Sequence, residues 1–181
     1  GLMAIAIQQF PWHDFRPVIL PAGYPAWLMP RFIWTCIFSA GLIAACAAIL
    51  FNIKARPVSL ILGGILLLMV FLFQVPGTVF GPYSFHLGLW TDPFKELTLS
   101  GGAFIVAGSL PQKGSASGLT GFLEKLIPLG KYFFAFTMAL FGFMHFVYPD
   151  FVATLVPNWI PGHLFWTYFA GVALMGAGIC I

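Results

Sequence analysis

Two histidines at matching positions are the strongest candidates for chemistry in this sequence. His13 and His145 each follow an apolar stretch, 132 positions apart. Neutral imidazole is a common metal ligand, so two such side chains on neighbouring helices could hold the metal of a haem or a chlorophyll. The alternative is that each histidine lies at the level of the lipid headgroups and bonds a backbone carbonyl. We favour this structural role.

Two tryptophans lie in the proline-rich segments that follow these histidines. Trp27 and Trp159 occupy matching positions in the two segments. Their rings could close over a quinone headgroup, so that they join the two histidines as candidate cofactor-binding residues. Tryptophan more often anchors a protein at the membrane–water interface, because its ring is apolar and its N–H is polar. We favour the anchoring role.

A third set of candidate residues follows Trp90 in the sequence and is charged. Asp92, Lys95 and Glu96 could form a polar site with that ring. A helix cap at Asp92 and an ion pair at the membrane interface account for the same charges, and we favour them. We expect no ionisable side chain deep within a span, which argues against an ion pump or a proton-coupled transporter.

The composition is that of a helical membrane protein. Of 181 residues, 60% are hydrophobic and 7% are charged, whereas soluble domains carry about 25% charged residues. Several runs of about 20 residues are apolar on every face, which favours spanning helices over the alternating strands of a β-barrel. The net charge of +3 is too small to indicate nucleic acid as a partner. The three cysteines include no C-x-x-C pair, so we expect them to pack rather than to do redox chemistry.

The end of the chain repeats part of its beginning. Residues 145–181 align with residues 13–49 without a gap, with nine identities over 37 positions. A match at a fixed offset is typical of an internal repeat. The identical pairs are His13/His145, Pro17/Pro149, Pro25/Pro157, Trp27/Trp159, Trp34/Trp166, Thr35/Thr167, Leu42/Leu174, Ala45/Ala177 and Ile49/Ile181.

We predict an all-α fold with about six membrane spans, arranged as two tandem four-helix units. Four spans separate equivalent points of the units, so the units run parallel about an axis along the membrane normal. Small residues at helical spacing predict close packing, because they let helix backbones approach each other. The predicted packing residues are Ala40, Ala44, Ala48, Gly142, Gly171 and Gly176.

A Gly- and Ser-rich segment sets the predicted boundary between the units. Residues 1–110 form the first unit, residues 111–121 a flexible linker, and residues 122–181 the second unit. The repeat register places the start of the chain just inside its first helix. It also leads us to expect that the second unit stops after its second helix.

Basic residues predict the orientation of the spans. The loops on one side carry five basic residues and those on the other side carry three. The side with five is expected to be cytoplasmic, which for the bacterial inner membrane places His13, His86 and His145 in the periplasm. The five residues are Lys54, Arg56, Lys113, Lys125 and Lys131.

Two stretches resemble DoxX-like membrane proteins. The run GFMHFVYPDFVATLVPNWIPGHLFWTYFAGVALMGAGI is similar to the first two helices of the DoxX-like unit, and WTDPFKELTLSGGAFIVAG is similar to its last helix. Together they cover about a third of the chain. The shared motif is a histidine near a helix end, a V-P-x-W-x-P connector and a Gly-rich helix. The resemblance implies four helices per unit and a link to quinones, since the family is named from a thiosulfate:quinone oxidoreductase and its quinol oxidase.

Three functions follow from these patterns. We rank first an accessory subunit of a larger membrane-embedded electron-transfer complex, respiratory or photosynthetic, without catalytic activity of its own. Second is a quinone-linked oxidoreductase subunit of the DoxX/DoxD type, and third is a subunit that carries haem or chlorophyll on His13 and His145. The expected partners are membrane lipids and other membrane-protein subunits. The candidate cofactors are quinone, lipid, haem and chlorophyll.

Overall fold

The computed structural model describes residues 2–12, 17–19, 31–81, 86–112 and 118–181. Within these ranges all regular structure is helical, as the composition predicts. A π-helical turn, Val70–Gln74, joins α3 to α4, and a 3-10 turn, Leu87–Trp90, precedes α5. The α-helices are α1 (Leu2–Trp12), α2 (Arg31–Leu50), α3 (Ala55–Met69), α4 (Val75–Val79), α5 (Thr91–Ser109), α6 (Gly118–Glu124), α7 (Ile127–Val147), α8 (Pro149–Ala153) and α9 (His163–Cys180).

Four helical segments of the described chain are long and apolar enough to cross a membrane. They are Phe32–Leu50, Ala55–Val79, Ile127–Val147 and His163–Cys180. Many of their large apolar side chains are exposed, which suits helices that lipid surrounds. The two other predicted spans correspond to α1 and α5, which do not belong to this group.

The long helices pack in chain order. α1 contacts α2, α2 contacts α3, α3 contacts α5, α5 contacts α7, and α7 contacts α9. The first four of these helices share one apolar core, in which Ala6, Leu42, Leu66 and Ala103 are buried together with Ile19 from the first connector. Because α5 is flanked by α3 and α7, protein covers much of its surface, and the helix can carry more polar residues than its neighbours.

The helix that contains α3 continues through a proline, a residue that normally breaks the interior of a helix. Pro76 lies inside the segment Ala55–Val79. Proline has no N–H to donate to the carbonyl of Leu72, and its ring crowds that carbonyl. The π turn Val70–Gln74 immediately precedes the proline, and its wider turn relieves this conflict without breaking the helix.

Glycines form the closest helix crossings. A Cβ atom at Gly101 of α5 would lie 2.6 Å from the carbonyl oxygen of Gly130 in α7. A Cβ atom at Gly142 of α7 would lie 2.7 Å from the carbonyl oxygen of Gly171 in α9. Two of the predicted packing residues, Gly142 and Gly171, therefore lie at one crossing.

The other predicted packing residues lie on open surfaces. Ala40 and Ala44 are exposed on α2, and Ala48 is half-buried. A Cβ atom at Gly176 would have no atom within 4 Å. At that end of α9 the close approach is made by Gly178, where a Cβ atom would lie 2.6 Å from the carbonyl oxygen of Ala135.

An arginine closes one end of the bundle, which we call the inner end. Arg56 donates through Nη1 to the carbonyl oxygens of Ala107 and Leu110, at 3.1 and 2.6 Å. Its Nε donates to Oε1 of Glu124 at 3.2 Å. Arg56 thereby satisfies carbonyls left open at the C-terminal end of α5 and ties α6 to α3. The opposite end, where α1, α4 and α7 end and α2, α5 and α9 begin, is called the connector end.

Candidate functional site

Five polar residues at the connector end of the first four long helices are almost completely shielded from solvent. α1 and α4 end there, and α2 and α5 begin there. Each of the five side chains is at most 1% exposed and lies within about two helical turns of that end. We call them the polar layer, which consists of Gln9, Thr35, Ser39, Gln74 and Glu96.

Glu96 is the acidic member of the polar layer. It is 0% exposed, and neither carboxyl oxygen has a hydrogen-bond partner in the described part of the chain. The side chain of Gln74 approaches the carboxyl group without adopting hydrogen-bond geometry. Lys95 does not neutralise Glu96, because its Nζ pairs with Asp92 at 3.0 Å. Burial without a partner is costly for a carboxyl group, so this position calls for a functional explanation.

Gln74 connects the carboxyl of Glu96 to the connector end. Its side-chain Nε2 donates to the carbonyl oxygen of Pro17 at 2.7 Å, and its backbone carbonyl oxygen accepts from the Thr78 hydroxyl at 2.8 Å. The π turn brings Gln74 inward. Residues four apart in an α-helix drift by about 40° around the axis, and the wider π turn reverses part of this drift. Leu66, Val70, Gln74 and Thr78 therefore stay buried in one row.

A second pair in the polar layer joins α1 to α2. The hydroxyl of Ser39 donates to Oε1 of Gln9 at 2.5 Å. Nε2 of Gln9 and the hydroxyl of Thr35 have no partner among the described residues. The layer thus combines unmet amide N–H donors, a hydroxyl and a carboxyl group. A ligand whose polar headgroup carries oxygen atoms could satisfy them.

The histidines and tryptophans singled out in the sequence lie elsewhere or outside the described residues. His13 and Trp27 fall outside the described ranges. His145 is half-buried near the end of α7, and its Nδ1 lies 2.7 Å from the carbonyl oxygen of Phe141, the bond that its structural role predicts. Trp159 is 81% exposed in the segment after α8. Among the described residues, no cluster of three or more His, Cys, Asp or Glu side chains could hold a metal ion.

The charges at the start of α5 match the sequence prediction in part. The predicted ion pair is confirmed, between Lys95 and Asp92, and its place at the membrane interface stays a prediction. The cap at Asp92 is wrong, because α5 begins one residue earlier, at Thr91, and no side chain caps it. Glu96 is fully buried five residues into α5, which is not one of the four candidate spans, so the expectation of no ionisable group deep within a span stays a prediction.

The spacing of buried residues along α5 distinguishes Glu96 from its charged neighbours, and the structure rather than the sequence reveals this spacing. The buried positions of α5 recur every three or four residues, which is the period of one helix face. Glu96 lies on this face, whereas Asp92 and Lys95 do not. The buried row is Pro93, Glu96, Ser100, Ala103 and Ala107.

No protein-family model, curated protein or solved structure matches this chain. The residues of the polar layer come from the four helices that share the first apolar core.

Proposed function

We propose that this protein is an accessory, quinone-linked subunit of a larger membrane-embedded electron-transfer complex. The observation that carries the proposal is the carboxyl of Glu96, buried without a partner beside Gln74. A quinone headgroup offers carbonyl oxygens that accept hydrogen bonds, and a quinol offers hydroxyls that also donate them. A carboxyl group and the amide of Gln9 can bond both forms.

An uncovered face of α2 supports the role as a subunit. Ala40, Gly41 and Ala44 are exposed there, and a Cβ atom at Gly41 would meet nothing within 4 Å. Small residues make the closest crossings inside this protein, as between Gly142 and Gly171. The α2 face offers the same close approach to a helix of another subunit.

The proposal includes two DoxX-like units in tandem with about six spans. Two observations support it. The offset of 132 residues aligns α1 with α7 and α2 with α9. In each unit the two helices pack together, α1 against α2 and α7 against α9. Thr35 and Thr167, which the same offset pairs, are both 1% exposed. α1 and α5 would complete the six spans, with the polar groups of α5 shielded from lipid by its neighbours.

The proposed location is the bacterial inner membrane, with the connector end in the periplasm. The basic residues Lys54, Arg56, Lys125 and Lys131 lie near the inner end, which supports a cytoplasmic position for that end. The polar layer would then open towards the periplasm.

Quinone binding by the purified protein tests the proposal. The dissociation constant of a short-chain quinone would be measured in detergent for wild type, Glu96→Leu and Gln74→Leu. We expect each substitution to weaken binding at least tenfold, because each removes a buried hydrogen bond worth about 1.5 kcal/mol or more. Glu124→Gln, at the inner end, serves as the matched control and should bind as wild type does.

The outcome that would refute the quinone site is wild-type affinity in folded Glu96→Leu protein. Native mass after mild extraction from its own membranes tests the subunit role separately. A protein that migrates alone at its monomer mass would contradict the role in a complex.

A further inference from the structure

We infer that Glu96 is a proton-binding site that exchanges its proton with the connector end only. This goes beyond the proposed function, since it concerns the same carboxyl group but requires no quinone. Three features of the fold carry the inference. They are the electrostatic surroundings of the carboxyl, a polar path on one side of it, and an apolar barrier on the other.

The surroundings of Glu96 leave its charge uncompensated. Lys95 is paired with Asp92, and Arg56 is paired with Glu124 at the inner end. Neither oxygen of Glu96 has a hydrogen bond to any described group. Because an isolated buried charge is very unfavourable, the carboxyl group holds a proton at rest. The other titratable groups on the elements packed against α5 are His86 before the 3-10 turn and Lys131, Tyr132 and His145 on α7.

A short polar path connects Glu96 to the connector end. The carboxyl lies beside Gln74, whose Nε2 bonds the carbonyl oxygen of Pro17, and Pro17 is exposed. Glu96 is five residues from the start of α5, which corresponds to about 7.5 Å along the helix axis. The side chain of Gln74 therefore spans the distance between the carboxyl of Glu96 and the exposed Pro17, and water at the connector end lies one side chain away from that carboxyl.

The way to the inner end is long and apolar. Thirteen residues separate Glu96 from the end of α5, about 20 Å along the axis. The hydroxyl of Ser100, one turn below Glu96, already donates to the carbonyl oxygen of Gly63 at 2.8 Å. Below it Phe104 and Ala107 are fully buried in an apolar cluster. Between Glu96 and Ala107, α5 carries no ionisable side chain that could relay a proton towards the inner end.

Carbodiimide labelling of the full chain in proteoliposomes tests the inference. A hydrophobic carbodiimide reaches the site through the bilayer from either side and reacts with the neutral form of a carboxyl group. The pH inside and outside the vesicles is set independently, and labelled Glu96 is quantified by peptide mass spectrometry. The orientation of the protein in the vesicles is measured with a Trp159→Cys variant. Its labelling by an impermeant maleimide is compared with that of wild type under the same conditions.

We expect the labelling of Glu96 to follow the pH on the connector side. Above the midpoint of titration it should fall roughly tenfold for each pH unit on that side, and it should not respond to pH at the inner end. Glu124→Gln is the matched control and should leave the labelling of Glu96 unchanged. Glu96→Gln should abolish the labelled peptide.

Three results would overturn the inference: labelling that follows the pH at the inner end, labelling that ignores both pH values, and no labelling of Glu96 in wild type. Quinone is absent throughout, so the two proposals fail separately. If Glu96 is needed for quinone affinity but its labelling follows the pH at the inner end, the proposed function stands and this inference is wrong.

Discussion

Glu96 destabilises the fold that surrounds it. Its carboxyl group is removed from water and receives no hydrogen bond in return from the described residues. A leucine of similar size would fill the same space without a polar group to desolvate. We expect Glu96→Leu to raise the free energy of unfolding by about 1–3 kcal/mol, as measured by thermal or denaturant unfolding in detergent.

Glu124→Leu provides the contrast to this prediction. Glu124 accepts from Arg56 at 3.2 Å, and both side chains are partly exposed. Losing that pair should lower the free energy of unfolding by up to about 1 kcal/mol. A Glu96→Leu protein less stable than wild type would mean that the carboxyl has a stabilising partner and that the polar layer is closed to ligands.

The sequence predicts surface pairs at the residue scale better than buried ones. The Asp92–Lys95 ion pair follows from their spacing on one helix face. Glu96 is next to Lys95 in the sequence but is buried, because successive residues are about 100° apart around a helix and therefore lie on different faces. Only the period of the buried face distinguishes it, and that period depends on which neighbours α5 acquires. The role predicted for His13 together with His145 stays a prediction.

At the scale of elements, the length of each hydrophobic run is enough to predict where the four apolar spans lie. A proline inside one of these spans does not end it. The segment Ala55–Val79 passes Pro76 because a backbone within a bilayer must keep its hydrogen bonds, and a π turn keeps more of them than a break would. Sequence rules for soluble helices do not contain this constraint, so Gln74 could not be assigned to the polar layer in advance.

Adjacent glycines in α5 give an internal test of helix packing. Gly101→Ala would place a Cβ atom 2.6 Å from the carbonyl oxygen of Gly130, which forces α5 and α7 apart. We expect it to lower the free energy of unfolding by about 1–3 kcal/mol. Gly102→Ala meets no atom within 4 Å and should be neutral or stabilising by up to about 1 kcal/mol, because alanine favours helix.

Equal effects of the two alanines would contradict the α5–α7 crossing. The comparison is sharp because both substitutions change the same residue type in the same helix, one position apart. Unfolding of both variants under identical detergent conditions is the measurement, with far-ultraviolet circular dichroism to show that each retains its helices.

At the scale of the whole molecule, the helices form a row in which each long helix contacts the next. Such a row leaves broad apolar surfaces for lipid or for other proteins, as on α2 and α9. Composition predicts this class of protein, because a helix that lipid surrounds must be apolar on every face. It does not predict which exposed face meets another protein, since lipid and a partner helix both accept apolar side chains.

The uncovered face of α2 distinguishes a partner helix from lipid. Phenylalanine at Ala40 and Ala44 would not disturb the isolated protein, because both positions are exposed. Its free energy of unfolding should therefore change by less than about 0.5 kcal/mol. A partner helix seated on that face would be pushed away, so the native mass after mild extraction should fall. Leu50→Phe, on the same helix but about 120° around its axis from Ala44 and already 73% exposed, is the control and should retain the mass of wild type. If the double variant keeps the full mass of the complex, α2 faces lipid and the partner must bind elsewhere.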